Sequence, residues 1–206
     1  GLGYPNQHID FILENGMNAF ALTNHGNMNS AAHAHTYSKK LKNKGVNYRH
    51  IYGCEFSFVD SLSEWRDDYE SHREQVRLEK INMKNLKIDD HGEETEGLII
   101  ENEAESKSSK RKSYPEWKRR YHLVVIAKNF TGLQNLFKLI KKSFKYGFYR
   151  FPRIDFKMLK EHSEGLVVST ACVGGRMSGL IFQHFPDKSF EDLSPELVDD
   201  PVILNS

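Results

Sequence analysis

The chain has 206 residues, enough for one domain of ordinary size and hardly enough for two. Its 29 Lys and Arg against 28 Asp and Glu leave a net charge of +1, so overall charge announces no nucleic-acid partner, although local patches still can. No run approaches the roughly 18 apolar residues of a transmembrane helix and no basic-then-apolar leader opens the chain, so neither a membrane-spanning nor a secreted class is expected.

The two cysteines, Cys54 and Cys172, lie far apart in unlike contexts. That speaks against a disulfide framework and for a reducing, cytoplasmic compartment. An opening Gly1-Leu2-Gly3 without Met predicts a piece of a longer chain.

Pro5 at a first helical turn, Ile9, Ile12 and Leu13 at helical spacing and Gly16 as terminator predict a short amphipathic helix. Residues 19–23 follow as a buried strand. A helix over about 30–44, with Ala34, Tyr37 and Leu41 on one face, ends at Gly45 and hands over to a strand near 50–58. Residues 60–118 differ in composition. The part at 63–87 is charged and helix-prone, whereas 89–113 is rich in Glu, Lys and Ser and reads as a mobile loop. Tyr114-Pro-Glu-Trp117 with Lys118, Arg119 and Arg120 mixes aromatic and basic groups that can stack bases and pair phosphates, but a solvated loop re-entering the fold is the simpler reading.

A further strand is expected at 123–127. The helix after it carries Leu133, Leu136, Phe137, Ile140 and Phe144 on one stripe and closes at Gly147. A last strand at 166–170 precedes a helical stretch over 173–184. Strands alternating with helices predict parallel pairing, in an open doubly wound sheet or a closed barrel.

Four segments place a metal-capable side chain beside an apolar run: Leu22-Thr-Asn-His-Gly26, Tyr52-Gly-Cys-Glu-Phe56, Tyr121-His-Leu123 and Ser169-Thr-Ala-Cys-Val-Gly-Gly175. His25, Glu55 and Cys172 directly follow expected strands, and in a parallel sheet or barrel those carboxyl ends meet on one face. An imidazole, a carboxylate and a thiolate suit zinc or a related divalent ion, and a bridging carboxylate holds two metals close enough to activate water together. Hydrolysis of a phosphate ester follows from that chemistry. His122 is out of pattern, because it precedes its apolar run where a rim ligand should follow one. His33-Ala-His35 falls in a helical pattern, where i and i+2 point about 200° apart, so the pair is expected at the surface and not on one metal.

The runs Leu22-Thr-Asn-His-Gly-Asn-Met28, Tyr52-Gly-Cys-Glu-Phe56 and Tyr121-His-Leu-Val-Val-Ile-Ala-Lys-Asn129 resemble the PHP (polymerase and histidinol phosphatase) domain. More narrowly, they resemble the version that opens bacterial DNA polymerase III alpha subunits. Gly147-Phe-Tyr-Arg-Phe-Pro-Arg-Ile-Asp155, His162-Ser-Glu-Gly-Leu166 and Ala171-Cys-Val-Gly-Gly175 follow in that family's order. The resemblance covers residues 1–60 and 119–180 and leaves 181–206 unmatched. It implies that residues 1–206 are part of a PHP domain, a distorted seven-stranded (β/α) barrel whose rim binds up to three divalent metals, zinc or manganese, through nine ligands.

Carried over by position, His25, Glu55, His122 and Cys172 match four of those ligands, with Glu55 and His25 in the catalytic roles. The family's opening His-x-His strand would lie upstream and its last Asp-x-His pair downstream. Asn24 stands where the family has Asp, so a charge that orients the neighbouring histidine is replaced by an amide. The resemblance further implies DNA replication through a parent polymerase, with DNA and other replisome subunits as partners, and metal-dependent phosphoester hydrolysis as a 3′ to 5′ proofreading exonuclease. A non-catalytic scaffold and a stand-alone PHP phosphatase are the rivals. Arg150 and Arg153 are weaker candidates for phosphate contacts, since paired guanidiniums suit phosphoryl oxygens.

Overall fold

A computed structural model describes residues 3–88, 116–118 and 120–184. The expected loop at 89–113 and the tail beyond residue 184 lie outside the described residues. The chain divides into two units, residues 1–62 with 120–206, and residues 63–119.

In the first unit the elements run α1 (Pro5–Glu14), β1 (Ala19–His25), α2 (Ala31–Asn43) and β2 (Arg49–Phe58). After the second unit come β3 (Tyr121–Ala127), α4 (Phe130–Tyr146), β4 (Phe148–Tyr149), β5 (Phe151–Ile154), α5 (Phe156–Glu161), β6 (Leu166–Ser169) and α6 (Arg176–His184). Helix α3 (Leu62–Ile88) lies almost wholly in the second unit. The class is mixed α/β, as expected. The two short strands β4 and β5 had no periodic signal and were not anticipated.

β2 is the centre of the sheet. β1 pairs with it in parallel from Arg49 to Glu55, and β5 takes over the same edge at Ser57 and Phe58. β3 lines the other edge from Gly53 to Phe58, antiparallel, and β6 runs antiparallel to β3. Uniformly parallel pairing is therefore overturned at β3. The chain leaves β2 at its carboxyl end and re-enters beside that same end, with Tyr121 opposite Phe58, so no crossover helix carries it back.

Alternation sorts the residues of β2 onto two faces. Cys54, Phe56 and Phe58 are buried on one face, which with Val125, Leu136, Leu139 and Ile154 forms part of the core. Towards the start of β2 the same face meets α1 and α2, where Ile9, Ala34 and Leu41 pack with Phe20, Leu22, Tyr37 and Tyr48. Glu55 and Ser57 face the other way.

Helix α4 turns a different stripe inward from the one its large apolar residues suggest. Leu136 and Leu139 are fully buried, but Gly132, Asn135 and Ser143 share that face, while Phe137 and Phe144 stay half exposed. The cause is close approach: a methyl group at Gly132 would lie 1.9 Å from the Gly165 carbonyl oxygen. Asn129 caps the helix by accepting from Gly132 N–H, and Asn135 Nδ2 donates to Glu164 O at 2.9 Å, so small and polar groups serve where bulky ones cannot fit. Asp155 caps α5 through Met158 N–H and also accepts from Leu62 N–H.

In the second unit, α3 confirms the helix expected at 63–87. Trp117 is buried there; Trp65 Nε1 donates to its carbonyl, and Tyr69 and His72 pack on its ring. It is a packing residue, neither a solvated loop side chain nor a free platform for a base. No helix among the described residues is long and apolar enough to cross a membrane.

Candidate metal centre

The register of the sheet brings three of the four expected ligands to one face. His25, the last residue of β1, pairs with Glu55 on β2, and His122 on β3 pairs with Ser57, two residues on from Glu55. Paired residues and their i±2 neighbours project to the same side of a sheet. The antiparallel direction of β3 resolves the odd position of His122: the amino end of β3 lies at the carboxyl end of β1 and β2. β6 again ends on that side, and the turn after it folds back so that His122 N–H donates to Gly174 O at 2.9 Å. Gly175 N–H closes the turn on Cys172 O at 2.7 Å.

The side chains then touch in a string. His25 Nδ1 is 3.5 Å from Glu55 Oε2, His122 Nδ1 is 2.8 Å from Glu55 Oε1, and Cys172 Sγ is 3.6 Å from that same His122 nitrogen. Gly174 N–H also points at Cys172 Sγ, at 3.4 Å. Glu55 is the sheltered member, its side chain 18% exposed, while His25 stands at the mouth with 84% exposure.

The donor set suits a borderline divalent ion: nitrogen, oxygen and sulfur meet at His122. Zinc bonds of about 2.0–2.1 Å to imidazole and 2.3 Å to thiolate, at a tetrahedral angle, separate two such donors by about 3.6 Å. The observed Cys172–His122 spacing matches that edge. The His122–Glu55 spacing is shorter, a direct hydrogen bond, so an ion would have to replace that contact. Among the described residues no three His, Cys, Asp or Glu side chains already surround a common point. The residues offer donor types that an ion accepts, arranged as a string and not as three donors around one point.

Other expected members are placed elsewhere. Asn24 pairs with Cys54 on the opposite face from His25, and its amide donates to Ser30 Oγ at 2.8 Å, so it does not orient the histidine. Arg153 is 2% exposed and donates through Nη1 to the carbonyls of Tyr149 and Phe151. Those bonds tie the β4–β5 turn together, which removes Arg153 as a phosphate contact. Arg150, in that turn at φ 56°, lies over the Tyr149 ring and does not line the site. His33 and His35 are exposed on α2, as expected, and His35 Nδ1 is 2.7 Å from the Tyr52 hydroxyl.

The string opens into a cavity of about 310 Å³ lined by His25, Gly26, Glu55, Phe56, Ser57, Arg120 and His122, with Phe151 and Pro152 as its apolar wall. Gly26 lets Pro152 close that wall, since a methyl group there would lie 2.6 Å from the proline ring. The sequence passed over Ser57 and Phe151, and it offered Arg120 only within a basic run whose simpler reading was a solvated loop. For Ser57 and Arg120 a signal existed: each lies two positions from a ligand, Glu55 or His122, and strand alternation sends such residues to the same side.

Cys54 adjoins Glu55 in sequence yet is no part of the site. It is fully buried, its Sγ donates to Asn24 O, and burial pushes its thiol up to about 12. Cys172 is exposed. Under native conditions at pH 8, iodoacetamide should therefore modify Cys172 and spare Cys54 until denaturant is added. Peptide mass mapping reads this directly, and rapid native labelling of Cys54 would contradict the packing described.

Known proteins agree with the family resemblance. A family model for the PHP domain matches residues 1–199. The DNA polymerase III subunit alpha of Helicobacter pylori is 33% identical over 150 residues, which cover 66% of this chain and 12% of that protein. The subunit of Treponema pallidum is 30% identical over 168 residues, 82% of this chain and 10% of that protein, and that of Aquifex aeolicus is 48% identical over 58 residues, 28% and 5%. The chain thus spans only 5–12% of the length of these relatives. It is homologous to a region of DNA polymerase III alpha subunits, and the match over residues 1–199 places it in the PHP domain family.

Proposed function

We propose that the cavity is a metal-dependent phosphoesterase site within a replicative DNA polymerase, acting as a 3′ to 5′ exonuclease on a DNA end, with zinc or manganese held by Glu55, His122, Cys172 and His25. The supporting observation is the convergence of these four side chains, from β1, β2, β3 and the turn after β6, on one edge of the sheet. In this reading the sheet is part of a distorted (β/α)7 barrel, and DNA and other replisome subunits are the partners.

A divalent ion bound there supplies a Lewis acid for a phosphoryl oxygen and lowers the pKa of a bound water. The protein's share is positioning. Glu55 touches a histidine with each carboxylate oxygen, so it fixes the spacing of the donors and accepts hydrogen bonds from whatever occupies the cavity. As water adds to phosphorus and the P–O3′ bond breaks, the leaving oxygen needs a proton. Water reaching the open mouth of the cavity beside the exposed His25 supplies it.

One observation favours the rival reading, a non-catalytic scaffold that stabilises the polymerase: the donors form a string rather than a cage. The two separate in one assay. The natural polypeptide carrying this sequence is given a 3′-labelled single strand with zinc or manganese. Release of nucleotides that stops on chelation and in Glu55→Gln supports the phosphoesterase; no release with either metal supports the scaffold.

A further inference from the structure

Arg120 is the one side chain of permanent positive charge among those lining the cavity. Among the described residues it makes no hydrogen bond or ion pair, and its guanidinium carbon lies 4.1 Å from the centre of the Phe151 ring. A guanidinium stacked on a ring spends its face on that contact. Its N–H donors lie in the plane of the group and stay available at the edge. The guanidinium thus sits over the Phe151 ring on the wall that also carries Glu55, His25 and His122, with its donors engaged by no described residue.

The electrostatics point the same way. Without Arg120 the fixed charge at this cavity is the Glu55 carboxylate, which repels a phosphate. A planar donor set that matches two oxygens of one phosphate at once is the feature that distinguishes arginine from lysine here.

We propose that Arg120 is the phosphate-recognition residue of this site, and that its ligand is the anionic phosphodiester group of a nucleotide chain. The guanidinium edge takes the non-bridging oxygens, Phe151 fixes its plane, and the apolar wall of Phe151 and Pro152 receives the adjoining sugar or base. The assignment rests on the phosphoesterase reading of the cavity; it singles Arg120 out of the basic run at 118–120 and sets aside Arg150 and Arg153.

The test compares thymidine dinucleotides joined by a phosphodiester or by an uncharged methylphosphonate, titrated against the natural polypeptide by NMR in the presence of EDTA, so that no turnover intervenes. The wild type should prefer the charged ligand by about tenfold or more, as expected for hydrogen bonds to a charged partner. Arg120→Ala should bind both within twofold, and Arg120→Lys should keep part of the preference. An unchanged melting temperature would show that the Ala variant is folded. Equal binding of the two ligands by the wild type, no binding of either, or an undiminished preference in Arg120→Ala would overturn the proposal. A preference that depends on Arg120, without hydrolysis under any metal, would keep this assignment and remove the phosphoesterase. Hydrolysis with unchanged KM and unchanged preference in Arg120→Ala would do the reverse.

Discussion

Glu55→Gln is expected to lower metal-dependent nucleotide release by about a thousandfold or more, because a bound ion is worth several kcal/mol of transition-state stabilisation and each 1.36 kcal/mol is a factor of ten. The substitution keeps the shape and removes the charge. It leaves one amide oxygen where two carboxylate oxygens now touch His25 and His122. The loss should fall mainly on kcat, since the nucleotide chain still meets Arg120 and the Phe151 wall. Steady-state kinetics with saturating manganese check this. A Glu55→Gln enzyme within tenfold of wild type would mean that the carboxylate is not at the reacting centre.

The second large effect is on stability. Gly132→Ala should cost about 3 kcal/mol or more, at the upper end of what overpacking does, and lower the melting temperature by about 6–12 °C for a chain of this size. The added methyl would meet the Gly165 carbonyl at 1.9 Å, and that carbonyl is backbone, already accepting from Lys128 N–H at 2.8 Å. Gly165 cannot yield easily, for it sits at φ +73°, with Asn129 Oδ1 and Gly132 N packed where a Cβ would go. Moving α4 outward would break the Asn129 cap and the Asn135–Glu164 bond together. Denaturant unfolding of Gly132→Ala measures the cost; a change below about 0.5 kcal/mol, the ordinary range for surface substitutions, would contradict this packing.

These two residues mark what could and could not be read from the chain. The four ligand candidates were legible because each is a chemically distinctive side chain at the edge of an apolar run. His122 was legible by type but not by place. Alternating strands and helices suggest parallel crossovers, whereas the helix between β2 and β3 belongs to a separate unit, so β3 turns back and presents its amino end to the site. Strand direction is a property of the connection, not of the strand's own residues.

The inward stripe of α4 was misread for a related reason. Apolar spacing identifies a helix face, but the distance to the neighbouring backbone decides whether Phe137 or Gly132 can occupy it. Arg153 shows the same limit among charged residues, its guanidinium satisfied by the carbonyls of its own hairpin. Arg120 lies in a run of basic residues whose simpler reading was solvated charge; only the folded cavity separates it from its neighbours, by placing it on the wall beside His122.

The central claim is that Glu55, His122 and Cys172 hold one ion together. Equilibrium zinc binding to the natural polypeptide, read by a competing chromophoric chelator, tests it most directly. The account predicts at least one tightly bound ion per polypeptide. It also predicts a loss of about tenfold to a hundredfold or more in affinity for each of Glu55→Gln, His122→Ala and Cys172→Ser, since even the partners that only orient a ligand are worth that much. Stoichiometric binding that none of the three substitutions weakens, or no binding at all, would contradict it.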